Sequence, residues 1–155
     1  MNGLQRVSVV PLLLLMALIA SHMSAGNQGD PRVPFETIVQ GTHAARRDAG
    51  QEVIRSQDEY ERVWRQIRNN EGDTGPPPEV DFASETVVAL FMGRRNTGGY
   101  SIEVDEIRAG ARRATIYYRE YSPDPGDIVT QVLTSPFHLV RIPRLERDIR
   151  FSRRN

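Results

Sequence analysis

Tyr100-Ser101-Ile102-Glu103-Val104-Asp105 and Ala114-Thr115-Ile116-Tyr117-Tyr118-Arg119 are the two stretches that decide the fold. In each, apolar and polar residues alternate, the period of a strand with one buried face. Gly110 lies between them and marks a turn, so the two strands pair naturally as antiparallel neighbours. Working outward, Glu85–Met92 contains Val87-Val88-Ala89-Leu90-Phe91 and is bounded by Gly93. An unbroken apolar run of that length predicts a buried central strand. Phe137–Ile142 predicts another strand, and Ile149-Arg150-Phe151 a last one. Upstream, Phe35-Glu36-Thr37-Ile38-Val39 alternates loosely and predicts a first strand.

One helix stands apart from these strands. Ser56-Gln57-Asp58-Glu59 fits a capping box, in which the serine oxygen takes the third-residue amide and Glu59 reaches back. Tyr60, Val63, Trp64 and Ile67 then fall on one helical face, with Arg62, Arg65, Gln66 and Arg68 on the other side. Trp64 is the single tryptophan, and its expected task is to anchor the helix on a sheet. His43–Gln51 reads as an exposed connection and Val53-Ile54 as a short apolar step before the helix. Gly72, Gly75 and Pro76-Pro77-Pro78 make Asn69–Glu79 a loop. One helix followed by several strands with short connections predicts an α+β fold: mainly antiparallel sheet or sandwich, with one amphipathic helix packed on it.

The amino terminus predicts export. Arg6 precedes an apolar run from Val7 to Ala20, and Ser24-Ala25-Gly26 supplies small residues for a cut. The run falls short of the roughly 20 apolar residues that span a bilayer, and fits a cleaved signal peptide. Residues 1–26 are therefore expected as signal and cleavage region, 27–34 as a flexible lead-in and 35–155 as one domain. The expected location is periplasmic or extracellular. With no cysteine there is no lipid-bearing thiol, so no stable membrane anchor is expected. Disulfides, thiol nucleophiles and thiolate metal sites are excluded on the same ground.

Composition narrows the function further. Twenty basic residues balance twenty acidic ones, so no positive excess points to nucleic acid. Every basic side chain is arginine, which rules out Schiff-base lysines and the lysine of a phosphate-binding loop. Beyond the leader the histidines are His43 and His138, without metal-ligand spacing. His138 is expected at a surface or edge position. Glu120, Asp124 and Asp127 lack the graded spacing of a calcium loop, and no G-x-S-x-G elbow occurs. No catalytic residue, cofactor or metal is expected.

Two segments invite a binding role. Gly93-Arg94-Arg95-Asn96-Thr97-Gly98-Gly99-Tyr100 joins two apolar strands. It reads either as a hairpin turn or as a recognition loop with two arginines and an aromatic edge, residue types enriched in binding hot spots. Pro123-Asp124-Pro125-Gly126-Asp127 leads into Ile128–Pro136 and suggests a stiff, extended excursion. In it Gln131 and Thr134 offer polar groups to a neighbour. The candidate partner-binding residues are Arg94, Arg95, Asn96, Thr97, Gly98, Gly99, Tyr100, Gln131 and Thr134.

Three spaced blocks, G-R-R-N-T-G-G-Y-S-I, E-Y-S-P-D-P-G-D and V-T-Q-V-L-T-S-P-F-H-L-V-R-I-P, resemble in order the carboxy-terminal domain family of the protease complex subunit PrcB. The resemblance covers Phe82–Pro143 well and extends back toward Val33. The family's turn carries a proline before the threonine, where this chain has Asn96. The resemblance implies an exported, non-catalytic accessory protein that associates with and stabilises a secreted serine protease. It implies no catalytic residues. As an alternative, Asn96-Thr97-Gly98-Gly99-Tyr100 is similar to the inhibitory loop of chagasin-like cysteine-protease inhibitors.

Overall fold

The computed structural model describes residues 29–67 and 75–155. The expected signal peptide lies outside the described residues. The elements in chain order are β1 (Glu36–Gly41), β2 (Gly50–Ile54), α1 (Gln57–Ile67), β3 (Glu85–Phe91), β4 (Ser101–Ala109), β5 (Arg113–Tyr121), β6 (Phe137–Pro143) and β7 (Asp148–Arg154). The expected α+β architecture is what forms. One sheet has the order β1-β6-β3-β2 and the second β4-β5-β7. All pairings are antiparallel except β5 with β7, which is parallel.

Three layers follow from where the apolar side chains go. Tyr60, Val63, Trp64 and Ile67 of α1 pack on Val87, Ala89, Phe91, Phe137 and Leu139 of the four-stranded sheet. The opposite face of that sheet, with Val88, Leu90, Val140 and Ile142, packs on Ile102, Val104, Ile107, Ile116 and Tyr118 of the three-stranded sheet. So β3 and β6 are buried on both faces, which is why Val87–Phe91 is apolar at every position. By contrast β4 and β5 are covered on one face only, hence their alternation. Val53-Ile54 is no mere step before the helix. It ends an edge strand, β2, paired with β3 from Gly50↔Phe91 to Ile54↔Val87.

The helix starts as its sequence demands. The Glu59 amide donates to Ser56 Oγ at 3.4 Å, and the Glu59 carboxylate accepts the Arg55 amide at 2.9 Å. Trp64 is buried, edge-on to Tyr60 at 5.9 Å, and its indole N–H donates to the Gly75 carbonyl. Aromatic rings closed into a core in this way contribute about 3–5 kcal/mol each. Tyr60 carries an exception to good packing. Its hydroxyl is buried with no hydrogen-bond partner among the described residues, and burial pushes its pKa up to about 12. Tyr60→Phe keeps the ring and deletes the orphaned donor. Chemical denaturation is expected to find the variant more stable by about 1 kcal/mol; a loss of stability would mean the hydroxyl has a partner.

His138 departs from expectation. It is 3% exposed and lies on an inner strand, not at a surface or edge. With Val140 and Ile142 it belongs to the face of β6 that meets the second sheet. Its Nδ1 accepts the Val104 amide at 2.9 Å, and its Nε2 lies 2.9 Å from Thr37 Oγ1. Accepting at Nδ1 leaves the proton of the neutral ring on Nε2, so Nε2 donates to the threonine. Burial lowers the imidazole pKa, opposed in part by the Glu103 carboxylate.

That hydrogen bond belongs to a larger device. The side of β4 turned away from β5 is closed without a further long strand. The Ile102 carbonyl accepts from Gln40 Nε2, and the Val104 amide donates to His138. A bulge at Asp105 then shifts the parity of the strand. Beyond it the Ile107 carbonyl accepts the Val33 amide, and the Ala109 amide donates to the Pro31 carbonyl. Of the lead-in expected over 27–34, Pro31–Val33 is thus bonded to β4. Open strand edges invite unwanted pairing, and here two side chains and a short backbone run occupy this one.

Candidate functional site

The Gly93–Tyr100 segment is not a hairpin. It joins β3 to β4, which lie in different sheets, so the chain must cross between layers. Gly93 makes the first bend at φ 77°, where a side chain would place Cβ 2.8 Å from the Ala49 backbone nitrogen. The Arg94 amide then donates to the Arg47 carbonyl, fastening the crossover on one side.

The other side is fastened to the excursion. Arg95 and Thr134 exchange backbone hydrogen bonds of 2.8 and 3.0 Å, and the Gly98 amide donates to the Thr130 carbonyl. The Thr134 hydroxyl donates to the Thr97 carbonyl at 2.8 Å. Gly98 is buried so tightly that a Cβ would come within 2.3 Å of Thr130 Oγ1. Gly99 follows with φ 85°, against Val129 and Pro123. The crossover and the excursion, read separately in the sequence, therefore form one unit. Ser135 extends it: its amide bonds the Thr42 carbonyl and its hydroxyl the Arg46 carbonyl.

The candidate residues sort by exposure. Thr134 is 4% exposed with its hydroxyl engaged, so together with Gly98 it builds the loop from within. Arg94, Asn96, Gly99 and Gln131 face outward, and Thr97 is half-buried. Arg95 is half-buried, its guanidinium 5.7 Å from the Tyr100 ring centroid, a cation–π contact that steadies both. The Gln131 side chain has only a 3.5 Å contact to the Val129 carbonyl.

What sequence reasoning missed is apolar. Tyr121, Ile128, Val132 and Leu133 are the exposed large hydrophobics among the described residues; Tyr121 ends β5, and the other three lie in one excursion. Ile128 is fully exposed; Val132 and Leu133 are 48% and 51% exposed. The signal was present as Ile128-Val129 and Val132-Leu133 between prolines, where alternation suggested extension and drew attention to the polar residues. Among the described residues no group of histidine, aspartate and glutamate side chains could hold a metal. His138, the one buried histidine among the described residues, has both ring nitrogens committed to structure. His43 is exposed and bonded to Thr42.

Fold and surface together define a small three-layer α+β domain that presents a preformed, apolar-tipped loop unit. Residues 86–143 match the family model described as PrcB C-terminal. The match runs from β3 through β6 and takes in the crossover and the excursion, so the resemblance carried by the three sequence blocks is shown over that segment. No curated protein and no solved structure matches the chain.

Proposed function

We propose that this chain is an exported, non-catalytic accessory protein that docks on a secreted serine protease and preserves its activity. The observation that carries the reading is that three exposed apolar side chains, Ile128, Val132 and Leu133, share one excursion. Isolated exposed apolar residues are commonplace, but several on one firmly tied loop favour a partner. Arg94, Arg95 and Tyr100 beside it are residue types suited to anchoring a protein interface. The matching family is named for a protease complex subunit, which supplies the class of partner. The leader at residues 1–26 supports export.

The inhibitor alternative has less support. Gly98 is buried and the Thr97 carbonyl is taken up by Thr134, so Asn96–Tyr100 leans back on the domain while Ile128 projects. The purified chain should be incubated with an exported subtilisin-like protease from the same cells, and residual activity followed over hours. A lengthened protease half-life is expected. Loss of activity, above all with a papain-like enzyme, would instead favour inhibition. No effect and no binding to the exported protease would sink the proposal.

A further inference from the structure

A second feature sits beside the bulge of β4. Successive strand residues point to opposite faces, but the extra residue at Asp105 lets Asp105 and Glu106 reach the same guanidinium. Arg154 of β7 donates through Nη1 to Asp105 and through Nη2 to Glu106, and lies 4.0 Å from the Tyr117 ring centroid. Glu106 also takes Arg32 at 2.5 Å and Arg108 at 2.9 Å. Arg119 stands 3.5 Å from Asp105.

The charges do not balance. Four guanidiniums meet Asp105 and Glu106, and Glu103 is a third acid as the cross-strand partner of Arg119, which leaves one positive charge in excess. The hydrogen bonds from Arg108 and Arg154 hold the Glu106 carboxyl down to about 2, so Glu106 stays ionised at any physiological pH. Arg119 meets the Tyr121 hydroxyl as well as Asp105, yet it keeps an unmet donor. Its contact with Asp105 is longer than a good hydrogen bond, and its Nε is buried without an acceptor among the described residues. The cluster opens on a cleft of about 630 Å³ whose other wall is apolar, with Val33, Pro34, Phe35 and Ile107. Small-ligand sites combine such a wall with a few converging polar groups.

We propose that this cleft binds a carboxylate borne on an apolar body. Arg119 turns from Asp105 onto the bound carboxylate, Arg32 closes over it, and Val33 and Phe35 take the apolar part. A guanidinium fork matches a carboxylate in two parallel hydrogen bonds. The resident Asp105 and Glu106 tolerate a single negative charge nearby and repel a phosphate dianion. The source is either a free organic acid or the carboxy terminus of a peptide.

Nitrogen-detected NMR of the whole chain tests this with three probes: N-acetyl-phenylalanine, its amide, and the tripeptide Gly-Gly-Phe. The acid is expected to give saturable shifts at the Arg119 side chain and at Phe35, and the amide none. Arg119→Gln is expected to weaken binding by about tenfold or more. Arg32→Gln gives an independent check that does not threaten folding, since that side chain is 78% exposed; it is expected to weaken binding several-fold. Tripeptide binding as tight as the acid assigns the site to peptide termini, and exclusion of the tripeptide assigns it to free acids. An amide that binds as well as the acid, unchanged affinity in both arginine variants, or the absence of saturation overturns the proposal.

Discussion

Urea unfolding of the His138→Leu variant is expected to show a stability about 2–4 kcal/mol below the parent at pH 8. Leucine fills most of the space but accepts no hydrogen bond. The Val104 amide then stays buried without an acceptor, and Thr37 loses its donor. The parent protein should itself weaken in acid. A folded-state imidazole pKa lowered by burial means that the unfolded chain binds the proton more readily. Stability is therefore complete above the unfolded value of about 6.5 and declines as pH falls below it. The slope is at most about 1.4 kcal/mol per pH unit, and it flattens once pH passes below the folded pKa. His138→Leu should lack that component of the pH profile. Equal stability of variant and parent at pH 8, or a parent profile indistinguishable from the variant's between pH 8 and 5, would show that the bond does not hold the two sheets together.

The paired substitution Ile128→Asp with Leu133→Asp is expected to weaken binding to the proposed protease partner by at least about a hundredfold, because anchor residues at interfaces each carry about 2 kcal/mol or more. Ile128 is fully exposed and Leu133 half exposed, so the folded domain has little packing to lose. The thermal midpoint should stay within the scatter of ordinary surface substitutions. Binding at parental strength by a folded variant would move the interface off the excursion. Arg94→Ala in the same assay separates the two halves of the unit: a smaller loss is expected from a residue at the rim.

Much of this fold was legible because its signals are local. The capped helix, the apolar run of β3 and the alternation of β4 and β5 each sit within one short stretch, and each formed where its period placed it. What escaped was relation across the chain. Nothing near Gly93–Tyr100 tells that β3 and β4 belong to different sheets, since a turn between two apolar strands looks the same whether it pairs them or separates them. His138 was misplaced for a related reason. The run Phe137–Ile142 is as apolar as that of β3, and the same argument that buried β3 would have buried the histidine within it. The bulge left a trace too: Asp105-Glu106 puts two acids between Val104 and Ile107, where strict alternation allows one. Of the site, the crossover and excursion were found, but attention went to their polar residues. Thr134 and Gly98 prove to be framework, while Ile128, Val132 and Leu133 form the outward surface.

The strand order also bears on how the molecule is made. Thr37 and His138 meet across 101 residues, and β1 finds β6 only when nearly the whole domain lies between them. Pairings of such range form slowly, while the β4–β5 hairpin can form early. The excursion directly precedes β6, and its anchors at Arg95 and Gly98 come from a crossover that must itself be placed between sheets. The apolar tip takes its fixed form only once these anchors are in place. A partner of the kind proposed, if it recognises the tip in that form, would engage only chains in which the crossover and the excursion have already met.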